Sequence, residues 1–250
     1  MAKTIFERKF GQNLRRVNKR LETYLADPEN EENIHDIRTS IRRMDATFSL
    51  LPKKIRKRYR GKIRSYRELL RANSKARDYD IISGRLKLMQ ASGMEAELNG
   101  KKKAELARAV RLARSLKKLP QLQFGPADED RLDKISGRLV KRISQSIPIV
   151  LSDGSKVDEL HRMRRNFRKL RYTLDVVPPE MKKKYKNSVH KIIGRGVVFR
   201  ELQDTLGSIH DCDITIEYLK TVNANQILDL VISSRRQLYE KFVKYINDTK

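Results

Sequence analysis

Two stretches of the sequence place a histidine and two arginines one and two helical turns apart. The first, NIHDIRTSIRRMDATFSLLP at 33–52, carries His35, Arg38 and Arg42, followed directly by Arg43. On a helix the first three lie within a sector of about 60° at the edge of the apolar face, and this stripe has no acidic partner between His35 and Arg42. Arg38 and Arg42 repel each other across one turn. Because a guanidinium group binds phosphate oxygens through two parallel hydrogen bonds, the pattern predicts a site for phosphate groups.

The same pattern recurs 126 residues later, in ELHRMRRNFRKLRYTLDVVP at 159–178. The matching basic residues are His161, Arg164, Arg168 and Lys169, with Arg165 between them. A charged helix face is usually only a solvated face, and a single histidine on a helix is more often structural than ligand-binding. The recurrence of one sign of charge at matching positions favours an anion site.

Further basic residues follow each motif at helical spacing, densely in the first half and thinly in the second. The predicted phosphate-binding residues of these segments are Arg60, Arg64, Arg67, Arg71 and Arg77 in the first half, and Lys184, Lys191, Arg195, Arg200 and His210 in the second. His210 replaces Arg77 of the first half, so a basic residue precedes an aspartate in both copies.

Residue types that bind metals or catalyse reactions are sparse. The four histidines show no H-E-x-x-H spacing, and the single cysteine, Cys212, forms no CxxC motif. Phosphoryl transfer normally uses a metal on clustered carboxylates or a glycine-rich phosphate loop, and neither stands out. We therefore expect no catalytic residue, no metal and no cofactor. The repeated aspartates are interpreted as helix caps or first-turn charges: Asp78, Asp80, Asp211 and Asp213.

The bulk composition indicates a polyanionic partner. Lys and Arg number 57 against 31 Asp and Glu, which gives a formal charge of +26. Life at high temperature would explain abundant charge but not the excess of one sign. No run reaches the roughly 18 apolar residues of a membrane span, the N-terminus resembles no signal peptide, and a lone cysteine makes no internal disulfide. These features predict a protein of the reducing cytoplasm.

The elements that must position the basic residues are predicted to be helices throughout. Apolar residues recur at three- and four-residue spacing, and the fold class is all-α. The prolines, at 28, 52, 120, 126, 148, 178 and 179, are interpreted as breaks, and the stretch 119–130 as a central linker. One domain, 1–250, would then consist of two four-helix repeats, 1–120 and 121–250.

An internal repeat sets these boundaries. The first motifs match at an offset of 126, whereas YRELLRANSKARDYDI from Tyr66 matches FRELQDTLGSIHDCDI from Phe199 at an offset of 133. The second copy therefore carries seven extra residues (133 − 126 = 7) between the motifs. The predicted helices are 3–26, 32–51, 53–74 and 78–118 in the first half, and 128–147, 156–176, 180–207 and 211–248 in the second. The last helix of each half is long, and breaks are predicted at 91–93 and 223–225.

The predicted core residues also match between the halves. They are Ile34, Ile37, Ile41, Met44, Phe48 and Leu51 in the first motif, and Leu160, Met163, Phe167, Leu170, Leu174 and Val177 in the second. In the third helix the apolar side is assigned to Ile55, Tyr59, Ile63, Tyr66 and Leu70.

On the strength of these motifs, the chain resembles the CHAD family, the conserved histidine α-helical domain, whose hallmark is H-x-x-R-x-x-x-R-[RK] in each of two repeats. Both copies match it, and the family's second motif, R-D-x-D, is represented by 77–80 and 210–213. The resemblance implies two four-helix bundles related by pseudo-twofold symmetry, with a basic central channel or groove that binds inorganic polyphosphate. It also implies a cytoplasmic location, with association with polyphosphate granules. Ser74 stands where the second copy has Gly207, in a turn that the family often builds on glycine, so binding by the two halves is expected to be unequal.

Three functions compete on this basis. The first is a non-enzymatic polyphosphate-binding protein. The alternative is non-specific nucleic-acid binding, which the charge also allows, although no helix-turn-helix, zinc-finger or RNA-binding sheet motif is present. The third is an enzyme acting on phosphoanhydrides. Many CHAD proteins are fused to a CYTH-type triphosphatase, but its E-x-E-x-K signature is matched only by EAELNGK from Glu95, where Asn99 replaces the lysine.

Overall fold

Helices make up the regular structure of the chain. The computed structural model describes residues 4–90, 93–120, 129–194 and 198–248. In these ranges the helices are α1 Ile5–Ala26, α2 Glu31–Phe48, α3 Lys53–Leu88, α4 Glu95–Ser115, α5 Glu129–Ser152, α6 Val157–Leu174, α7 Pro179–Ile193, α8 Phe199–Thr221 and α9 Asn225–Asn247. No strand occurs within the described ranges, and the predicted all-α class is confirmed. No helix there is both long and apolar enough to cross a membrane.

The chain forms two compact units that do not follow a single cut in the sequence. The first unit comprises Met1–Asp80, Glu95–Ile135 and Tyr172–Pro178. The second comprises Ile81–Met94, Ser136–Arg171 and Pro179–Lys250. Each unit therefore contains a short segment from the opposite half of the chain. The division into repeats 1–120 and 121–250 concerns sequence similarity and stays a prediction.

In the first unit, α1 packs against α2 and also contacts α4. Thr4 and Glu7 form a capping box that satisfies the free backbone N–H groups at the start of α1, and Asn30 caps α2 through the amides of Glu32 and Asn33. All six predicted core residues of the first motif are buried, and so are Ile63 and Tyr66 of α3. Ile55, Tyr59 and Leu70 are only partly buried.

In the second unit, α8 packs against α9. The second motif forms α6, and the buried residues there include Leu160, Met163, Phe167 and Leu170. The bounds of α6 follow those of α2 at the offset of 126. The same apolar periodicity therefore builds the same helix in both copies.

The third helix of the first half is longer than predicted. α3 continues through Asp78 to Leu88, because Leu69, Ala72 and Ala76 extend its buried side and no helix-breaking residue intervenes. In the second half, α7 begins at the position that matches the start of α3, and α8 ends at the position that matches its end. The seven extra residues interrupt the second copy after Ile193, where Gly194 adopts a φ of 95° that favours glycine.

The predicted boundaries at 74–78 and 207–211 are therefore wrong. Asp78 lies inside α3, and Asp211 and Gly207 lie inside α8, so neither aspartate is a helix cap and Gly207 forms no turn. The predicted breaks occur after Leu88 and Thr221. There Gln90 and Asn223 adopt left-handed φ values of 55° and 53°, and the two positions match at the offset of 133.

The structure also bears on two predicted interruptions of the helical pattern, at Pro148 and at the central linker. Pro148 lies inside α5, which continues to Ser152 while Ile147 and Val150 keep its buried face in place. It is therefore not a break. The predicted linker at 119–130 falls mostly on residues 121–128, which lie outside the described residues, as do 91 and 92 at the first predicted break.

Candidate functional site

In the second unit, three helices bring together two histidines, an aspartate and an arginine. His161 comes from α6, His210 and Asp213 from α8, and Arg235 from α9. Nε2 of His161 lies 2.9 Å from Oδ2 of Asp213 and 2.9 Å from Nδ1 of His210. Nε of Arg235 donates to Oδ1 of Asp213. We call these four residues the histidine–aspartate cluster.

The carboxylate is the centre of this cluster. Asp213 is only 9% exposed, so its charge depends on neighbouring donors rather than on water. Burial raises the pKa of Asp213, but hydrogen bonds from His161 and Arg235 outweigh that effect and lower the pKa below its usual value. Asp213 is therefore ionised at neutral pH.

His210 is the uncharged member of the cluster. Burial lowers the pKa of His210 to about 3, and the neighbouring side chains of Arg164, His161 and Arg168 act in the same direction, against the opposing effect of Asp213. The ring is neutral at neutral pH and carries one proton. It can therefore act as a hydrogen-bond donor through one nitrogen only.

In the first unit, the matching positions line an open cleft. His35 and Arg38 from α2 and Arg77 and Asp80 from α3 surround a volume of about 450 Å³. The acidic residues Glu31, Glu32 and Asp36 also line it, together with Ile34. Oδ1 of Asp80 pairs with Nζ of Lys102 at 2.6 Å, and Nε2 of His35 lies 3.4 Å from the hydroxyl of Thr39.

The ion pairs of the two sites correspond residue by residue. At the offset of 133, Asp80 falls on Asp213 and Lys102 falls on Arg235. Each pair joins residues 22 positions apart across the break between two helices. The aspartates were interpreted from the sequence as helix caps, and Lys102 and Arg235 were not selected at all. The offset of 133, continued past the second motif, was the signal that could have found them.

The arginines of the two motifs lie at the edge of the buried helix face, as predicted. Arg38, Arg42, Arg164 and Arg168 are partly exposed. Arg43 lies over the ring of Tyr172, with its Cζ 5.6 Å from the ring centroid. Arg165 and Lys169 are exposed on the outer side of α6.

The arginine series of α3 is partly neutralised by acidic residues of the same unit. Asp45 accepts hydrogen bonds from Nε and Nη2 of Arg67 at 2.8 and 2.5 Å. Glu68 lies 3.2 Å from Arg64 and 3.8 Å from Arg71. Arg60 is exposed. This series is therefore less positive than the sequence spacing alone indicates.

The thinner series of the second half is exposed. Lys184 lies over the ring of Tyr185, Lys191 is exposed, and Arg200 is 87% exposed and 3.9 Å from Asp204. Arg195, also predicted to bind phosphate, lies outside the described residues.

The described residues contain no group of three or more His, Cys, Asp or Glu side chains arranged to hold a metal ion. Cys212 is buried in α8. Both sites offer nitrogen donors beside a paired aspartate. Such donors bind oxyanions through charge-assisted hydrogen bonds.

Comparison with known proteins gives a family and a fold. The sequence model of the CHAD domain matches residues 8–220, so Arg235 lies beyond the matched segment. The crystal structure of the CHAD domain from the plant Ricinus communis is similar to this chain, with a TM-score of 0.58 and 16% sequence identity over 98% of this chain and 91% of that one. At this identity the similarity shows the fold alone. No protein of curated function matches the sequence.

Proposed function

The chain belongs to the CHAD domain family, and from that premise we propose that it binds inorganic polyphosphate without catalysing a reaction on it. The observation that carries the proposal is the recurrence of one constellation. Matching positions in both units hold the same four kinds of residue. These are a histidine, an arginine three residues later, a basic or imidazole residue from the next motif, and a paired aspartate.

Charge supplies the affinity in this proposal. A polyphosphate chain carries about one negative charge per phosphate along a flexible backbone, and basic residues that bind it release its counterions. The chain carries a formal charge of +26, and the arginines of both motifs are held at the edges of rigid helices. Because guanidinium groups bind phosphate oxygens in a bidentate manner, they favour a phosphate chain over a simple anion of equal charge.

The absence of catalysis belongs to the same proposal. The repeated aspartates of the second motif lie beside the basic residues, and Asp80 and Asp213 are already paired with Lys102 and Arg235. A carboxylate that is neutralised in this way is a poor general base.

A salt titration tests the proposal against non-specific nucleic-acid binding. Binding to long-chain polyphosphate is measured over increasing salt, beside single-stranded RNA and duplex DNA matched in phosphate number. We expect polyphosphate to stay bound at salt concentrations that release both nucleic acids. Release of all three together, or longer retention of a nucleic acid, would favour a general basic surface instead.

A paired charge reversal tests the motif itself. Arg42→Glu combined with Arg168→Glu places an acid in each motif. We expect polyphosphate affinity to fall by at least about 100-fold, because each lost contact to a charged group costs roughly 1.5–3 kcal/mol of binding free energy. The control combines Lys9→Glu with Lys241→Glu, which makes the same change in net charge at exposed positions of α1 and α9. Circular dichroism and thermal melting check that both proteins fold. Equal losses of affinity in the two proteins would contradict the proposal.

A further inference from the structure

The contact between His161 and its two partners restricts where the protons of the two rings can lie. Nε2 of His161 lies 2.9 Å from a carboxylate oxygen of Asp213 and 2.9 Å from Nδ1 of His210. The two rings meet edge to face, with centroids 4.4 Å apart. A single ring nitrogen therefore lies between an anionic acceptor and a second ring nitrogen.

The proton positions follow from what each atom can donate. An ionised carboxylate only accepts, so Nε2 of His161 must carry the proton that lies between it and Asp213. Nδ1 of His210 faces the same N–H group and must present its lone pair. Because His210 is neutral, its single proton is then on Nε2, the ring nitrogen remote from His161.

We infer that Asp213, held by Arg235, is a positioning residue that fixes the proton of His210 on Nε2 and so makes this ring a hydrogen-bond donor to phosphate. The inference rests on the proposed function. Without the carboxylate, His210 would turn its N–H group toward His161, and the phosphate would face a lone pair instead of a donor.

The charged groups around His210 come from each helix of the cluster. Arg164, Arg168 and His161 lie on α6 and Asp213 on α8, while Arg235 on α9 acts on Asp213. A protonated His210 would be repelled by the two arginines, so a neutral donor is the form of the ring that fits beside them. The first unit has Arg77 at the matching position, which is a donor in every protonation state and requires no such control.

Arg235 acts in the cluster through its ion pair with Asp213. Its side chain is 14% exposed, and its Nη2 atom is buried with no hydrogen-bond partner among the described residues. Burying a guanidinium group in this way costs free energy, and the attraction between Arg235 and the carboxylate of Asp213 compensates for that cost. The matching pair of Asp80 and Lys102 places a cation on the aspartate in the first unit as well.

The proton arrangement can be read directly by nitrogen NMR of the full chain labelled at histidine, before any ligand is added. We expect His161 and His210 both to carry their protons on Nε2 at neutral pH. The variant Asp213→Asn should reverse both tautomers. Arg235 can only donate, so the amide oxygen would face it and the amide NH2 would face His161, whose Nε2 would then become an acceptor. The matched control is Asp211→Asn on the same helix, with the same change in charge.

The affinity for tripolyphosphate gives a second readout, because the two variants are expected to change it in opposite directions. Removal of a negative charge should strengthen binding of an anion, and this is the expected result for Asp211→Asn. For Asp213→Asn we expect binding about tenfold weaker, because a donor to the phosphate is lost. Arg235→Lys, which reproduces the residue at the matching position of the first unit, should retain both the tautomers and the affinity.

The outcomes separate this inference from the proposed function. A proton on Nδ1 of His210 in the unsubstituted protein would overturn the inference, and so would an Asp213→Asn variant that keeps both tautomers or binds tripolyphosphate more tightly. If the predicted tautomers are present but the unsubstituted protein binds no tripolyphosphate, the proposed function is overturned and the proton arrangement stands.

Discussion

Replacement of Asp45 by asparagine should increase the affinity of the protein for polyphosphate. Asp45 accepts two hydrogen bonds from Arg67, so an internal carboxylate already occupies the guanidinium group that a phosphate would use. On the proposed function, a phosphate chain that binds Arg67 competes with this carboxylate for the Nε and Nη2 atoms. Asp45→Asn weakens the competitor while it keeps the shape of the side chain.

The size of the gain follows from the exposure of the pair. The side chains of Arg67 and Asp45 are 51% and 33% exposed, and ion pairs in such positions contribute about 1 kcal/mol or less. Affinity should therefore rise by no more than about fivefold. One additional phosphate is neutralised, so the slope of log affinity against log salt should steepen by about 0.7.

The assay is a polyphosphate titration of Asp45→Asn at several salt concentrations. Asp229→Asn serves as control, since it makes the same change in net charge at an exposed position of α9. An equal gain in the two variants would show that only net charge matters. A loss of affinity in Asp45→Asn would refute the competition between Asp45 and phosphate.

Two further predictions concern stability. The pKa of His210 is about 3 in the folded chain against about 6.5 in an unfolded one. The unfolded chain therefore takes up the proton first, and the free energy of unfolding falls as the pH drops below about 6.5. His210→Gln should flatten this dependence in urea unfolding, where one proton accounts for up to about 1.4 kcal/mol per pH unit, and an unchanged slope would refute the assignment. A Cβ at Gly154 would lie 2.8 Å from Cε1 of Tyr239, whose hydroxyl donates to Val150, so Gly154→Ala should destabilise the protein by about 1–3 kcal/mol in urea unfolding. Gly61→Ala, where nothing lies within 4 Å, should be neutral or stabilising, and equal effects at the two positions would contradict the packing argument.

The buried faces of the helices could be predicted from the sequence because helical periodicity is a local property. Ile37 and Met163 lie on apolar faces that repeat every three or four residues, and both are fully buried. The extent of α3 was harder to predict. The short polar segment around Asp78 resembles a helix start. However, the buried residues Ala72 and Ala76 continue the apolar face of α3 up to this segment, and the helix runs through it.

The candidate site was predictable only in part. His161 and Arg164 share a local motif, and His210 belongs to a second one, so each could be selected from its own stretch of sequence. That Asp213 would bind both His161 and Arg235 depends on how α6, α8 and α9 pack, which no local pattern encodes. Likewise, spacing along α3 could not show that Asp45 of another helix would neutralise Arg67.

The exchange of short segments between the two compact units bears on how this protein can be divided. The unit that contains the first motif is completed by Tyr172–Pro178, and Tyr172 from that segment covers the guanidinium of Arg43. The unit that contains the second motif is completed by Ile81–Met94, from which Arg85 donates to the backbone oxygen of Ser208. Expression of either half of the gene alone would leave out a piece of the unit it mainly encodes.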